Sequence, residues 1–175
     1  QAVIASSEHY RSKVEAEGIA FHAVRPNELD RQRELGMDDA ELTRHLMRGG
    51  IGSLEFVVRR LILPYLKQSY EDMMAATRDC VLVVTSSFAF GATLAAQKRA
   101  LPYINVALQP CMIQSVDDPP SMIGWPWLRK LSPPLARKVT AALLAAMNRK
   151  VASWAQPIHE LRHELGLTAM KTNPL

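Results

Sequence analysis

The tightest constraint on the fold sits in the first 24 residues, which read strand, helix, strand with room only for short turns between them. Ala2-Val3-Ile4-Ala5 is an apolar run of the buried-strand kind. Ser6-Ser7 follow as helix caps, and Glu8 suits a first turn by its charge. The helix is expected to run to about Glu17 and stop at Gly18, since glycine accepts the left-handed conformation at helix ends. Ile19 to Val24 then gives a second strand. A strand, a crossover helix and a second strand form the repeating unit of a parallel sheet.

The rest of the chain keeps that rhythm. Residues 25–37 read as a polar loop, and Asp38-Asp39-Ala40-Glu41 as the acidic start of a short helix broken by Gly49, Gly50 and Gly52. From Ser53 the apolar residues Leu54, Val57, Val58, Leu61, Ile62, Tyr65, Leu66, Met73 and Met74 recur at helical spacing, predicting one long helix kinked at Pro64. Cys80 to Val84 reads as a strand, and Ala89 to Ala100 as an Ala-rich helix able to lie close to a sheet. Tyr103 to Leu108 reads as a fourth strand. A loop over 109–125 follows, then helices over about 126–132 and 134–165, the second broken near Pro157. The expectation is a Rossmann-like open, mostly parallel α/β sheet with flanking helices.

Composition removes several classes. With 48% apolar and 22% charged residues over 175 positions, the chain can build one core and is not a disordered segment. Two cysteines, Cys80 and Cys111, give no disulfide framework. No run approaches the ~18 apolar residues of a membrane span, and a cytoplasmic location is expected. The charge is uneven: residues 1–125 carry a balance of −2 and residues 126–175 one of +6. Such a basic third can attract anionic lipid, phosphate or nucleic acid, or form a solvated helix face. Arg/aromatic interleaving of the RNA-binding kind is missing, so no nucleic-acid partner is expected.

Several motifs invite chemistry. His159-Glu160-Leu161-Arg162-His163 matches the zinc-protease helix pattern, and Gly166 fits its extended form. The third ligand position is Ala169, however, and nothing after His163 completes a ligand set. An exposed amphipathic helix is the better account, and no metal is expected. Neither GxGxxG nor a Walker A sequence is present, and Ser86 and Ser87 are not in a GxSxG elbow. Those serines do follow a strand, where open α/β sheets bind ligands; Gln109, Pro110, Cys111 and Met112 follow the next one. The default site is therefore the carboxyl edge of the sheet, lined by Ser86, Ser87, Phe88, Gln109 and Met112. Helix capping by the two serines is the plain alternative. His22, after a strand Phe, could be a site residue, with a surface or satisfied histidine the better account. Trp125 and Trp127 beside Arg129 and Lys130 could dip into a membrane interface, cover an apolar ligand, or pin a helix start into the core.

The order of segments resembles the N-terminal half of a GT-B glycosyltransferase, in the family of UDP-glycosyltransferases and bacterial sterol, macrolide and rhamnolipid glycosyltransferases. The resembling stretches are Val3 to Arg11, Val14 to Ile19 with Phe21, Asp79 to Val84, and Leu94 to Lys98 with Leu101-Pro102-Tyr103. Leu108-Gln109-Pro110, Asp117 to Pro120, Pro157 to Arg162 and Glu164 to Leu167 complete the series, which spans nearly the whole chain.

That resemblance implies an acceptor-binding domain over 1–167 and the start of an interdomain linker over 168–175. It implies a catalytic histidine on a strand–helix unit upstream of residue 1, leaving no catalytic residue in these 175. A separate C-terminal domain would hold the nucleotide-diphosphate sugar, which is a co-substrate; no cofactor is expected. In many relatives an aspartate orients the histidine within a Val-x-Asp-x-Phe-like setting. Val84-Thr85-Ser86-Ser87-Phe88 matches that frame with Ser86 at the aspartate position, and a serine cannot stabilise an imidazolium by charge. The acceptor pocket is expected from the strand ends, the Leu54–Leu66 helix and the 109–127 loop, for a hydrophobic small molecule or lipid. Peripheral contact with the inner membrane face through Trp125 and Trp127 would fit the basic last third. The chain alone is expected to be inactive. The alternative is a non-catalytic binding module or a subunit of a split glycosyltransferase.

Overall fold

The computed structural model describes residues 2–27, 35–47, 49–108, 113–117 and 126–169. The opening unit forms as its pattern requires. Strand β1 (Val3–Ser6) leads through a 3-10 turn (Glu8–Tyr10) into helix α1 (Arg11–Ala16), and β2 (Ala20–Ala23) returns parallel to β1. Gly18 makes the reversal at φ +72°, a backbone region glycine enters without a Cβ clash. Arg11 organises the exposed face: its guanidinium bonds Glu8 and Glu15 and lies 4.8 Å over the Phe21 ring. Ser7 departs from expectation. Its side chain makes no capping bond, and its hydroxyl is buried instead.

Helix α2 (Asp39–Met47) starts as its acidic cap predicts, with the Glu41 amide donating to Asp38 Oδ1 at 2.7 Å. Gly49 and Gly50 take φ of +68° and +73°, after which α3 (Gly50–Phe56) begins earlier than Ser53 and includes Gly52. The expected kink is spread over two turns. A π-helical stretch (Val57–Ile62) and a 3-10 turn (Leu63–Tyr65) absorb the donor missing at Pro64 before α4 (Leu66–Ala76) resumes. Strand β3 is Val83–Ser86, displaced from the expected Cys80–Val84. The Cys80 amide bonds Thr77 O at 3.3 Å and its thiol reaches Ala76 O at 3.6 Å, so Cys80 finishes the helix end and is not a core-strand residue. Helix α5 (Phe90–Lys98) leads to β4 (Tyr103–Val106), parallel to β3.

In the last third, Pro126–Lys130 is a 3-10 turn followed by α6 (Pro133–Ala152) and α7 (Gln156–Glu164). The break falls at 153–155. Pro157 lies in the first turn of α7, where no intrahelical donor is needed.

Among the described residues the expected continuous four-stranded sheet is not formed: β1 pairs only with β2 and β3 only with β4, giving two separate parallel pairs. Their common support is the α4–α5 contact. Leu66, Tyr70 and Met73 of α4 pack with Phe90, Leu94 and Ala95 of α5 and with Ile158 and Leu161 of α7. Burying each large apolar side chain there contributes about 1.5–3 kcal/mol. The small residues of α5 serve a helix contact rather than the sheet contact the sequence implied: a Cβ on Gly91 would come within 2.5 Å of Ser69 Oγ and 2.8 Å of Ser69 C. Arg162, buried on α7, ties the layers together by donating to Gln97 Oε1 and to Thr168 O.

Candidate binding site at the carboxyl edge

The carboxyl ends of β1 and β3 open onto a pocket of about 400 Å³. The wide turn at 57–62 supplies Val57, Leu61 and Ile62, and α4 adds Leu66 and Ser69. The β3–α5 connection brings Phe88 to Gly91, and the ends of β1 and β2 bring Ser7, Arg25 and Pro26. A π-helical turn places one extra residue per loop of helix, which aims Val57 and Leu61 at one space without breaking the rod. That volume suits a small organic molecule, and the mixture of apolar walls with few polar groups is typical of such sites.

Three polar or strained features mark the pocket. Arg25 is held by Asp72 through its amide (2.9 Å), its Nε (2.9 Å to Oδ2) and its Nη2 (2.7 Å to Oδ1). Those bonds keep the Asp72 carboxyl below the ordinary carboxylate range. Ser7 Oγ is buried with no protein partner, an unmet hydroxyl at the pocket wall. Phe88 takes φ +70°, a left-handed conformation costing a non-glycine residue about 1–3 kcal/mol, and such strain gathers at ligand sites. Its ring meets Phe90 edge-on at 6.2 Å between centroids.

Of the three residues expected at this edge that the structure describes, Ser86, Ser87 and Phe88, Phe88 lines the pocket. Ser86 ends β3, its carbonyl accepting from the Ala89 amide at 3.2 Å, and it lies at the mouth of a neighbouring groove. Ser87 is half-buried in the turn. Neither serine caps α5, whose N-cap position is Ala89 with no side-chain bond. Gln109 and Met112 lie outside the described residues, as does Trp125. Ser7 and Arg25 were missed, although both follow a strand end, Ser7 after β1 and Arg25 after β2. Val57, Leu61, Ile62 and Leu66 of the Leu54–Leu66 segment line this pocket.

The remaining motifs lie elsewhere. His159, Glu160 and His163 are exposed on α7, with Glu160 accepting from Gln156 at 2.7 Å. No cluster of three metal-ligating side chains occurs among the described residues. His22 is half-buried in β2, its Nδ1 donating to Ala23 O at 3.0 Å. Trp127 is 44% exposed and does not pin its turn; the neighbouring Leu128 does so at 2%. Among the described residues no helix is long and apolar enough to cross a membrane.

No family model and no curated protein matches the sequence. Among solved structures, the crystal structure of SsfS6, a glycosyltransferase of Streptomyces sp. SF2575, is similar at 20% identity with a TM-score of 0.47. The match covers 96% of this chain and 38% of that one, so the chain spans well under half of that protein's length.

Proposed function

We propose that this chain is the acceptor-binding part of a glycosyltransferase that moves a sugar from a nucleotide-diphosphate sugar to a hydroxyl of a hydrophobic acceptor. The observation that carries the reading is the carboxyl-edge pocket: apolar walls from Val57, Leu61, Ile62 and Phe88 around an unmet Ser7 hydroxyl. An apolar body would fill the walls, and an alcohol group would meet Ser7 Oγ as donor or acceptor. The ordered resemblance of the sequence segments supports the same class.

Chemistry is not expected from the pocket alone. Arg25 is the one titratable side chain among the described lining residues, and a guanidinium cannot accept the proton that an attacking hydroxyl must lose. The pocket therefore binds and orients. Deprotonation and sugar-nucleotide binding fall to groups supplied by a catalytic histidine and a donor-binding domain that the resemblance implies. Ser86 at the aspartate position favours a second reading, a non-catalytic binding module or one subunit of a split enzyme.

The test is a turnover and binding assay on the 175-residue chain. Hydrophobic alcohols should bind at about micromolar to millimolar Kd, more tightly than the matching hydrocarbons, with neither transfer nor hydrolysis of a sugar nucleotide. Turnover by the chain alone, or equal binding of alcohol and hydrocarbon, would contradict the proposal. Activity restored by mixing with a separately encoded donor domain would favour the split-enzyme form.

A further inference from the structure

The last third of the chain carries its charge in a repeat. Residues 119–159 contain no Asp or Glu, and the dipeptide Arg-Lys occurs there at 129–130, 137–138 and 149–150. On α6 the structure divides two of these pairs. Arg137 meets Asp117 at 3.1 Å and Lys150 meets Glu55 at 3.2 Å, which ties those two cations to neighbouring segments. Lys138 and Arg149 are exposed and have no ion pair among the described residues. They stand close to three full helical turns apart, so they share one face at a separation of about 16 Å. Leu135, Ala142, Ala145 and Ala146 are exposed on that same face, at spacings of three and four residues. The 3-10 turn ahead of α6 repeats the arrangement of an apolar group with a lysine three residues on. Positions three apart eclipse in such a turn, so exposed Trp127 and Lys130 stand together while Leu128 turns to the core.

We propose that Trp127 and Lys130, with Leu135, Lys138 and Arg149 of α6, form a surface that docks the protein on an anionic lipid bilayer. Charge complementarity selects the partner, because the free cations point outward from a stretch that holds no carboxylate. Their spacing excludes a single small anion, which cannot bridge about 16 Å. The apolar groups decide between a bilayer and a protein. Trp127 at 44% and Leu135 at 48% exposure stand singly, each beside a lysine, with only alanines along the helix between the cations. A protein interface concentrates bulky apolar anchors at its centre and excludes lysine from it. Isolated apolar groups flanked by cations suit a fluid surface instead. Lipid headgroups move to meet each charge, while a Trp ring and a Leu side chain sink to the headgroup–acyl boundary. A phosphate backbone would offer Leu135 nothing. The proposal does not depend on the carboxyl-edge pocket or on the glycosyltransferase reading.

The test is co-sedimentation of the 175-residue chain with vesicles of phosphatidylcholine, alone or with about 30% phosphatidylserine, in about 0.1 M salt. The anionic vesicles should bind at least about tenfold more tightly than the neutral ones. Lys138→Gln and Arg149→Gln should each weaken that binding by about fivefold, the scale of one basic residue at a charged membrane. Lys13→Gln removes the same charge from exposed α1, and should change binding by less than about twofold. Leu135→Ala and Trp127→Ala should each weaken it by about fivefold or more. All five positions are exposed, so circular dichroism of the variants should match the parent. Equal binding to neutral and anionic vesicles, or to neither, would overturn the proposal. So would an equal loss from Lys13→Gln and Lys138→Gln, which marks attraction by net charge without a surface. Unchanged binding in both Leu135→Ala and Trp127→Ala would overturn it too, since that marks ionic adsorption that any polyanion could satisfy.

Discussion

Arg25 and Asp72 show how a single side-chain pair can set the shape of a binding edge. The carboxylate takes three hydrogen bonds from one arginine, and so fixes the segment after β2 against α4. Asp72→Asn should lower stability by about 1 kcal/mol in urea unfolding at pH 7, the scale of a partly exposed charge-assisted clamp. Because the folded Asp72 pKa is depressed, that contribution is complete above the unfolded value of about 4. It is lost as pH falls through the lower folded value. The gap between parent and variant should therefore close in unfolding curves taken progressively below pH 4. At Phe88 two effects oppose each other. Phe88→Gly relieves the left-handed backbone but removes ring contacts, so stability should stay within about 1 kcal/mol of the parent. Alcohol binding, measured by calorimetry, should weaken by about tenfold because the pocket wall is gone.

The elements pack through glycine at one point and merely tolerate it at another. Gly91→Ala drives a methyl into Ser69 and the Tyr70 amide, and should cost about 1–3 kcal/mol by overpacking the α4–α5 contact. Gly52→Ala, inside α3 with open space around it and no positive φ, should instead raise stability by about 0.5–1 kcal/mol. Thermal unfolding of the two variants measured side by side separates packing from propensity. The same contrast explains what the sequence made legible. The opening strand–helix–strand was readable because Gly18 between two short apolar runs leaves the chain few alternatives. Strand β3 was misplaced by three residues because Cys80 to Val84 is uniformly apolar, with no alternation to set where pairing begins. The π-helical turn at 57–62 has no periodic signature of its own; its residues read as ordinary helix.

Across the whole molecule, two cavities share the strand ends yet differ in kind. The smaller, of about 400 Å³, is walled by the 57–62 turn, α4 and the β3–α5 connection; the larger, of about 720 Å³, is bordered by Val3 to Ser7 and Leu82 to Ser86. Ser7, Arg25, Pro26, Ser69 and Ala89 border both, so a substitution in this shared wall should reshape both spaces. Long-range relations of this sort were hidden in the sequence. Ser7 read as a cap because its neighbours favour one, and Arg25 read as loop because its partner lies 47 residues away. The division of the strands into two pairs was equally hidden, since no strand's own sequence says which neighbour it pairs with.

The most direct measurement is a methyl NMR titration of the chain with a hydrophobic alcohol. The account predicts shifts at Val57, Leu61, Ile62 and Leu66, with Val3, Leu82 and Val83 in the groove unmoved. Shifts confined to the groove methyls, or none with the alcohol but clear ones with a sugar nucleotide, would contradict it.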